Sequence, residues 1–117
     1  MARTKPTFYP EVGEKVTLKG HTGNYWIDMV CDPYTVVAVS EKERCVYIQS
    51  CKLTFDGPRY YDTIASKIEN DPDGTIIKLT FVNNKRNRNR WVHKYDAYDE
   101  YPRIAIFGIW KHQPYLD

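Results

Sequence analysis

Tyr34-Thr-Val-Val-Ala-Val-Ser40, then Glu41-Lys-Glu-Arg44, then Cys45-Val-Tyr-Ile-Gln-Ser50, is the stretch that decides the fold. Two runs rich in β-branched and aromatic residues are separated by four charged residues, a length suited to a hairpin connection and too short for a crossover. Branching at Cβ restricts χ1 in a helix and suits a pleated surface, so both runs read as strands. The same logic extends outward. Upstream, Val16 and Leu18 alternate with Lys15, Thr17 and Lys19 between Gly13 and Gly20, the pattern of a half-buried strand. Downstream, Ile77, Leu79 and Phe81 alternate with Lys78 and Thr80 in Thr75 to Val82, and Arg90 to Tyr95 reads as the return strand of a second hairpin whose loop is Asn83 to Asn89. Ile104 to Trp110 is expected to close the body as a buried strand.

Between these elements lie segments of other character. His21 to Pro33 is a polar, glycine-containing excursion carrying Tyr25, Trp26 and Met29. Asp56-Gly57-Pro58 breaks the strand pattern, and Tyr61, Ile64, Ala65 and Ile68 then fall at helical spacing, which predicts one short helix ending before Asp71-Pro72. Residues 1–10 are expected to form an extended arm, because Pro6 and Pro10 bracket Phe8 and Tyr9 and exclude a helix there, and residues 111–117 form a short tail. The expected fold is therefore a single all-β domain over residues 1–117, β-dominated with one short helix: a small barrel extended by a β-hairpin and a C-terminal strand.

Composition narrows the function classes. A chain of 117 residues with 42% hydrophobic and 27% charged content can bury a core without staples, and it is not of disordered type. The longest apolar run, Ile104 to Trp110, is far short of the roughly 20 residues of a membrane-spanning helix, and Met1 to Pro6 is not followed by an apolar signal segment, so no membrane partner and a cytoplasmic location are expected. Cys31, Cys45 and Cys51 cannot all pair within the chain and lack the spacing of zinc ribbons; they read as reduced thiols, with no metal and no cofactor. His21, His93 and His112 are scattered, no cysteine has a local base, and no glycine-rich phosphate loop occurs, so a non-enzymatic role is expected.

One stretch hints at a partner. Asn83-Asn-Lys-Arg-Asn-Arg-Asn-Arg-Trp-Val-His-Lys94 contains no acid, and Lys85, Arg86, Arg88, Arg90 and Lys94 supply five positive charges where the whole chain nets +2, so the remainder is net negative. Such a loop can neutralise phosphates, with asparagines adding hydrogen bonds. Trp91, with Arg59, Tyr60 and Tyr61, can offer stacking faces to unpaired bases. The opposing reading is a solvated hairpin tip, onto which the acids between Asp96 and Glu100 fold back. Tyr25 and Trp26, with Tyr34, can instead line a shallow groove for a host protein. A third reading is a nucleotide-sized pocket built from Arg59, Tyr60, Tyr61, Asp62, Arg103, Trp110 and His112.

Two resemblances add to this. The pattern Gly13-x-x-Val16-x-Leu18, the long loop after it and the tight hairpin resemble Src-homology-type and KOW-type small barrels over residues 12–55. The wording Tyr9-Pro-Glu-Val-Gly-Glu-Lys-Val-Thr-Leu-Lys-Gly20, Gly57-Pro-Arg-Tyr-Tyr-Asp-Thr-Ile-Ala65 and Trp110-Lys-His-Gln-Pro-Tyr-Leu-Asp117 resembles small bacteriophage and prophage proteins of Firmicutes. That second resemblance implies an accessory protein that binds a host protein, a nucleic acid or a signalling nucleotide inside a bacterial cell.

Overall fold

The computed structural model describes residue 6 and residues 8–21, 29–58, 64–83, 88–96 and 102–113. Over these the chain is all-β. Six strands form a closed antiparallel barrel in the order in which the chain lays them down: β1 (Lys15–His21), β2 (Met29–Ser40), β3 (Cys45–Ser50), then β6 (Ile76–Val82), β7 (Arg90–His93) and β8 (Ile104–Phe107), which returns to β1. Between β3 and β6 the chain leaves the wall to make a two-stranded ribbon, β4 (Lys52–Thr54) with β5 (Lys67–Glu69). The hairpin and the C-terminal strand read from the sequence thus complete the wall of the barrel itself.

Alternation places the core. Val16, Leu18, Val36, Val46, Ile48, Leu79, Trp91 and Ala105 are buried together, and the registers Val36↔Ile48, Val46↔Leu79, Phe81↔Trp91 and Leu18↔Ala105 put them on one face of the closed sheet. Each aliphatic side chain so buried contributes about 1.5–3 kcal/mol relative to exposure. A shift of register between Val36 and Ala38 keeps Val36 and Val39 both directed at this core.

Three expectations are corrected. The excursion after β1 is shorter than the sequence suggests, because Met29 to Pro33 pairs with Thr17 to His21. Pro33 is tolerated there since Cys31 and Pro33 turn their backbone groups away from β1: Cys31 exchanges two 2.8 Å hydrogen bonds with Gln113, and the Pro33 carbonyl accepts from the Cys51 N–H. The closing strand ends at Phe107. Gly108, at φ 93°, turns the chain, and residues 109–113 run back across β1 and β2 as a strap. Thr17 is the clasp: its hydroxyl donates to the Ile109 carbonyl at 2.8 Å and accepts from the Lys111 N–H at 2.9 Å, which leaves Thr17 2% exposed and covers the outward face of β1 at its middle. Finally, the helix expected through Ile68 gives way to strand: Ile68 pairs with Leu53 in the ribbon, and Ser66 bonds the Thr54 carbonyl through both N–H and hydroxyl. Ile64 is exposed, so there is no apolar stripe for a helix to bury; residues 59–63 lie outside the described ones. The described helical content is a single 3-10 turn, Lys94–Asp96.

Candidate nucleic-acid interface

The described cations of the basic stretch divide between the two ends of β7: Arg88 and Arg90 at one rim of the barrel, Lys94 at the other end of the strand. β6 and β7 pair from Leu79↔His93 to Val82↔Arg90, so the chain leaves β6 at Asn83 and enters β7 after Asn89 at the end of the wall that also carries the β2–β3 turn. Its asparagines do local work. Asn83 Oδ1 accepts from the Asn89 N–H at 3.3 Å, and Asn89 takes φ 53°, a left-handed conformation that asparagine tolerates better than most residues. Asn83 and Asn89 thus tie the two ends of the connection to each other. Arg88 and Arg90 are exposed, and neither makes an ion pair among the described residues. Lys85 and Arg86 lie outside the described residues, as do Arg59, Tyr60, Tyr61, Asp62, Tyr25 and Trp26.

Of the acids that follow β7, Asp96 does not fold back, and Asp99 and Glu100 lie outside the described residues. Asp96 follows the 3-10 turn at the opposite end of the strand and is held by Arg103, whose Nε donates to Oδ2 at 2.6 Å and whose Nη2 donates to Oδ1 at 3.1 Å. Burial alone would raise the Asp96 carboxyl; the Arg103 hydrogen bonds and charge outweigh it and hold the group below its ordinary value. The Arg103 stem crosses directly over Gly20, where any Cβ would collide with it.

Trp91 is corrected as a stacking residue. It is 1% exposed and forms part of the core, with Phe81 and Tyr9 at centroid distances of 5.4 and 5.5 Å. The exposed aromatic on this hairpin is Tyr95, 78% exposed, with Lys94 Nζ 5.4 Å from its ring centroid and His93 packed beneath at 5.4 Å. Sequence alternation placed Tyr95 on the strand face of Trp91 and His93. The strand stops at His93, whose Nδ1 accepts the Tyr95 N–H at 3.2 Å, and the turn swings Tyr95 out. Nothing in the residue types alone marks that break.

The described members of the small-ligand set are committed to structure. Trp110 Nε1 donates to the Tyr34 carbonyl at 2.8 Å under Lys15 Nζ, 4.7 Å from the ring. His112 is buried, accepts the Ala65 N–H at Nδ1 and meets Phe55 edge-on. Arg103 grips Asp96. These contacts pin the strap and the ribbon to the barrel.

Chemistry elsewhere is muted. Cys31, Cys45 and Cys51 are free thiols, and burial raises the thiols of Cys31 and Cys51, which disfavours the thiolate a nucleophile needs. Burial, with Arg103 adding to it, lowers His93. Among the described residues no cluster of three or more His, Cys, Asp or Glu is placed to hold a metal ion, and no helix is long and apolar enough to cross a membrane. No family model matches the chain, and neither a curated protein nor a solved structure matches it.

Proposed function

We propose that this chain is a non-catalytic binding protein that engages nucleic acid through the phosphate contacts of its basic hairpin, the accessory role that the resemblance to phage proteins would imply in a bacterial cytoplasm. The observation that carries this reading is the separation of charges along β7: Arg88 and Arg90 stand exposed at one end, and Asp96 is engaged by Arg103 at the other. Exposed guanidinium groups that make no ion pair among the described residues, with Lys85 and Arg86 beside them in the sequence, favour a polyanion over a neutral surface. Tyr95, beside Lys94, is the ring available to an unpaired base. The neighbouring turn Glu41 to Arg44 carries two acids and two bases, so it adds no net charge to the rim.

The test is fluorescence anisotropy with labelled single- and double-stranded 20-mers between 50 and 200 mM salt. Affinity is expected to fall linearly on a log–log plot, by about 0.9 per phosphate for duplex and about 0.7 for single strands, with Arg88→Ala/Arg90→Ala lowering the slope by roughly one to two. Lys85→Ala/Arg86→Ala/Arg88→Ala/Arg90→Ala is expected to abolish binding. Salt-independent binding, or full binding by the quadruple variant, removes the hairpin from the mechanism, and failure of the unaltered chain to bind either 20-mer leaves a host protein as the partner class.

A further inference from the structure

Strands β3, β6 and β7 lie side by side in the wall and contain no Asp or Glu. With Val46, Ile48, Leu79 and Trp91 turned to the core, alternation directs Tyr47, Lys78 and Arg90 outward. Tyr47 stands opposite Lys78, and Leu79↔His93 is the last pair of β6 with β7, so Lys94 comes level with Lys78 one step beyond it. Lys94 Nζ in turn lies 5.4 Å from the Tyr95 ring centroid. The order across the sheet is therefore ring, cation, cation, ring. At about 4.8 Å between neighbouring strands, Tyr47 and the end of β7 are about 10 Å apart, and Arg90 stands about 13 Å along β7 from Lys94.

The fold gains little from this row. Two lysines side by side repel each other, and neither makes an ion pair among the described residues. Of the acids in the flanking turns, Glu43 accepts from the Cys45 thiol at 3.8 Å, Asp71 accepts the Asp73 N–H at 3.0 Å, and Asp96 is held by Arg103. Tyr47 reclines along β3, its hydroxyl sharing a hydrogen bond with the Cys45 thiol two residues away, so one face of its ring lies against the sheet and the other is outward. A free anion would need only the lysines. Rings flanking paired cations match successive nucleotides whose bases are unpaired, whereas in a duplex the base faces are already stacked on one another.

We infer that the outward face of β3, β6 and β7 is a platform for single-stranded nucleic acid, with Tyr47 and Tyr95 stacking bases and Lys78 and Lys94 holding the phosphates between them. This rests on the nucleic-acid reading of the hairpin and narrows it to unpaired strands that continue from Arg88 and Arg90 across the sheet.

The experiment compares a labelled single-stranded 20-mer with its duplex by anisotropy, for the unaltered chain, Tyr47→Leu and Lys78→Ala/Lys94→Ala. A single strand carrying 5-bromouracil is also photocrosslinked to the unaltered chain and mapped by mass spectrometry, which keeps the test valid if a variant fails to fold. The unaltered chain is expected to bind the single strand at least about tenfold more tightly than the duplex, with crosslinks at Tyr47. Tyr47→Leu is expected to weaken single-strand binding by about 5- to 150-fold, the loss of one base stack, without changing the salt slope. The double lysine variant is expected to lower that slope by about 1.4, at about 0.7 per phosphate. Single-strand affinity unchanged in Tyr47→Leu, tighter binding of the duplex, or crosslinks confined to residues 83–90 overturns the platform and leaves the hairpin contact standing. Failure of the unaltered chain to bind either nucleic acid overturns the hairpin reading and the platform together.

Discussion

Arg103 holds Asp96 through three donors: Nε at 2.6 Å and the backbone N–H at 3.1 Å converge on Oδ2, and Nη2 reaches Oδ1 at 3.1 Å. One side chain thereby fixes the turn after β7 to the start of β8, across the narrowest pairing in the wall. It also removes an acid from the neighbourhood of the basic hairpin.

Asp96→Asn should therefore cost stability without touching the hairpin. A folded-state carboxyl held below its ordinary value contributes stability that is present above its unfolded value, near pH 4, and lost as pH falls through the folded one. The expected loss is about 1–2 kcal/mol at pH 7, fading in urea melts as pH falls through the folded value. Nucleic-acid affinity is expected to stay within about twofold, since charge at this end of β7 is remote from Arg88 and Arg90. A large gain in affinity would show instead that Asp96 restrains the cationic tip.

Gly20 faces the same arginine. A Cβ there would overlap the Arg103 Cγ and crowd its Cβ and Cδ, which are stem atoms held by the Asp96 grip and not a free end. Gly20→Ala is expected to destabilise by about 1–3 kcal/mol, the usual cost of overpacking. In an Arg103→Ala background the same change should be nearly neutral, so a double-mutant cycle reads a coupling of about 1 kcal/mol or more. Additive effects would mean that Arg103 swings clear without losing its partner.

How far the sequence could be read follows from the same details. Strict alternation at Val46/Ile48 and Leu79/Phe81 marks one-sided burial, so the wall strands were legible. Thr17 was not, because its burial comes from the strap, ninety residues later in the chain, and a hydroxyl carries no sign of such a partner. Ile104 to Trp110 is one apolar run in the sequence but two structures in space, divided where Gly108 adopts φ 93°. Ile64 and Ile68 share helical spacing, yet one is exposed and the other lies in the ribbon. At the candidate site, the exposed charge of Arg88 and Arg90 was legible from composition. The exchange of roles between Trp91 and Tyr95 was not, since it depends on where β7 stops.

Asp32 offers a test with the opposite sign to Asp96. Its register with Leu18 places it on the core-facing side of β2, and burial raises its carboxyl against the lowering effects of His112 and Arg103. A raised carboxyl lowers stability once pH exceeds its folded value, and that penalty fades as pH falls through the folded value toward the unfolded one. Asp32→Asn is thus expected to raise Tm at pH 7 and to leave it unchanged below about pH 4. A lower Tm at pH 7 would reveal that the ionised carboxylate is needed by the fold.

Trp91 and Leu79 separate the cost of a hole from the cost of an unmet donor. Leu79 is fully buried in the same cluster, and Leu79→Ala is expected to cost about 2–5 kcal/mol through lost burial and the cavity left behind. Trp91→Phe also removes volume, worth roughly 1 kcal/mol at about 24 cal/mol per Å³ of unrelaxed cavity, but it deletes the buried Nε1 donor, which has no partner among the described residues. The two effects oppose, so chemical denaturation should place Trp91→Phe within about 1 kcal/mol of the unaltered chain. A loss as large as that of Leu79→Ala would mean that the indole N–H is satisfied in solution.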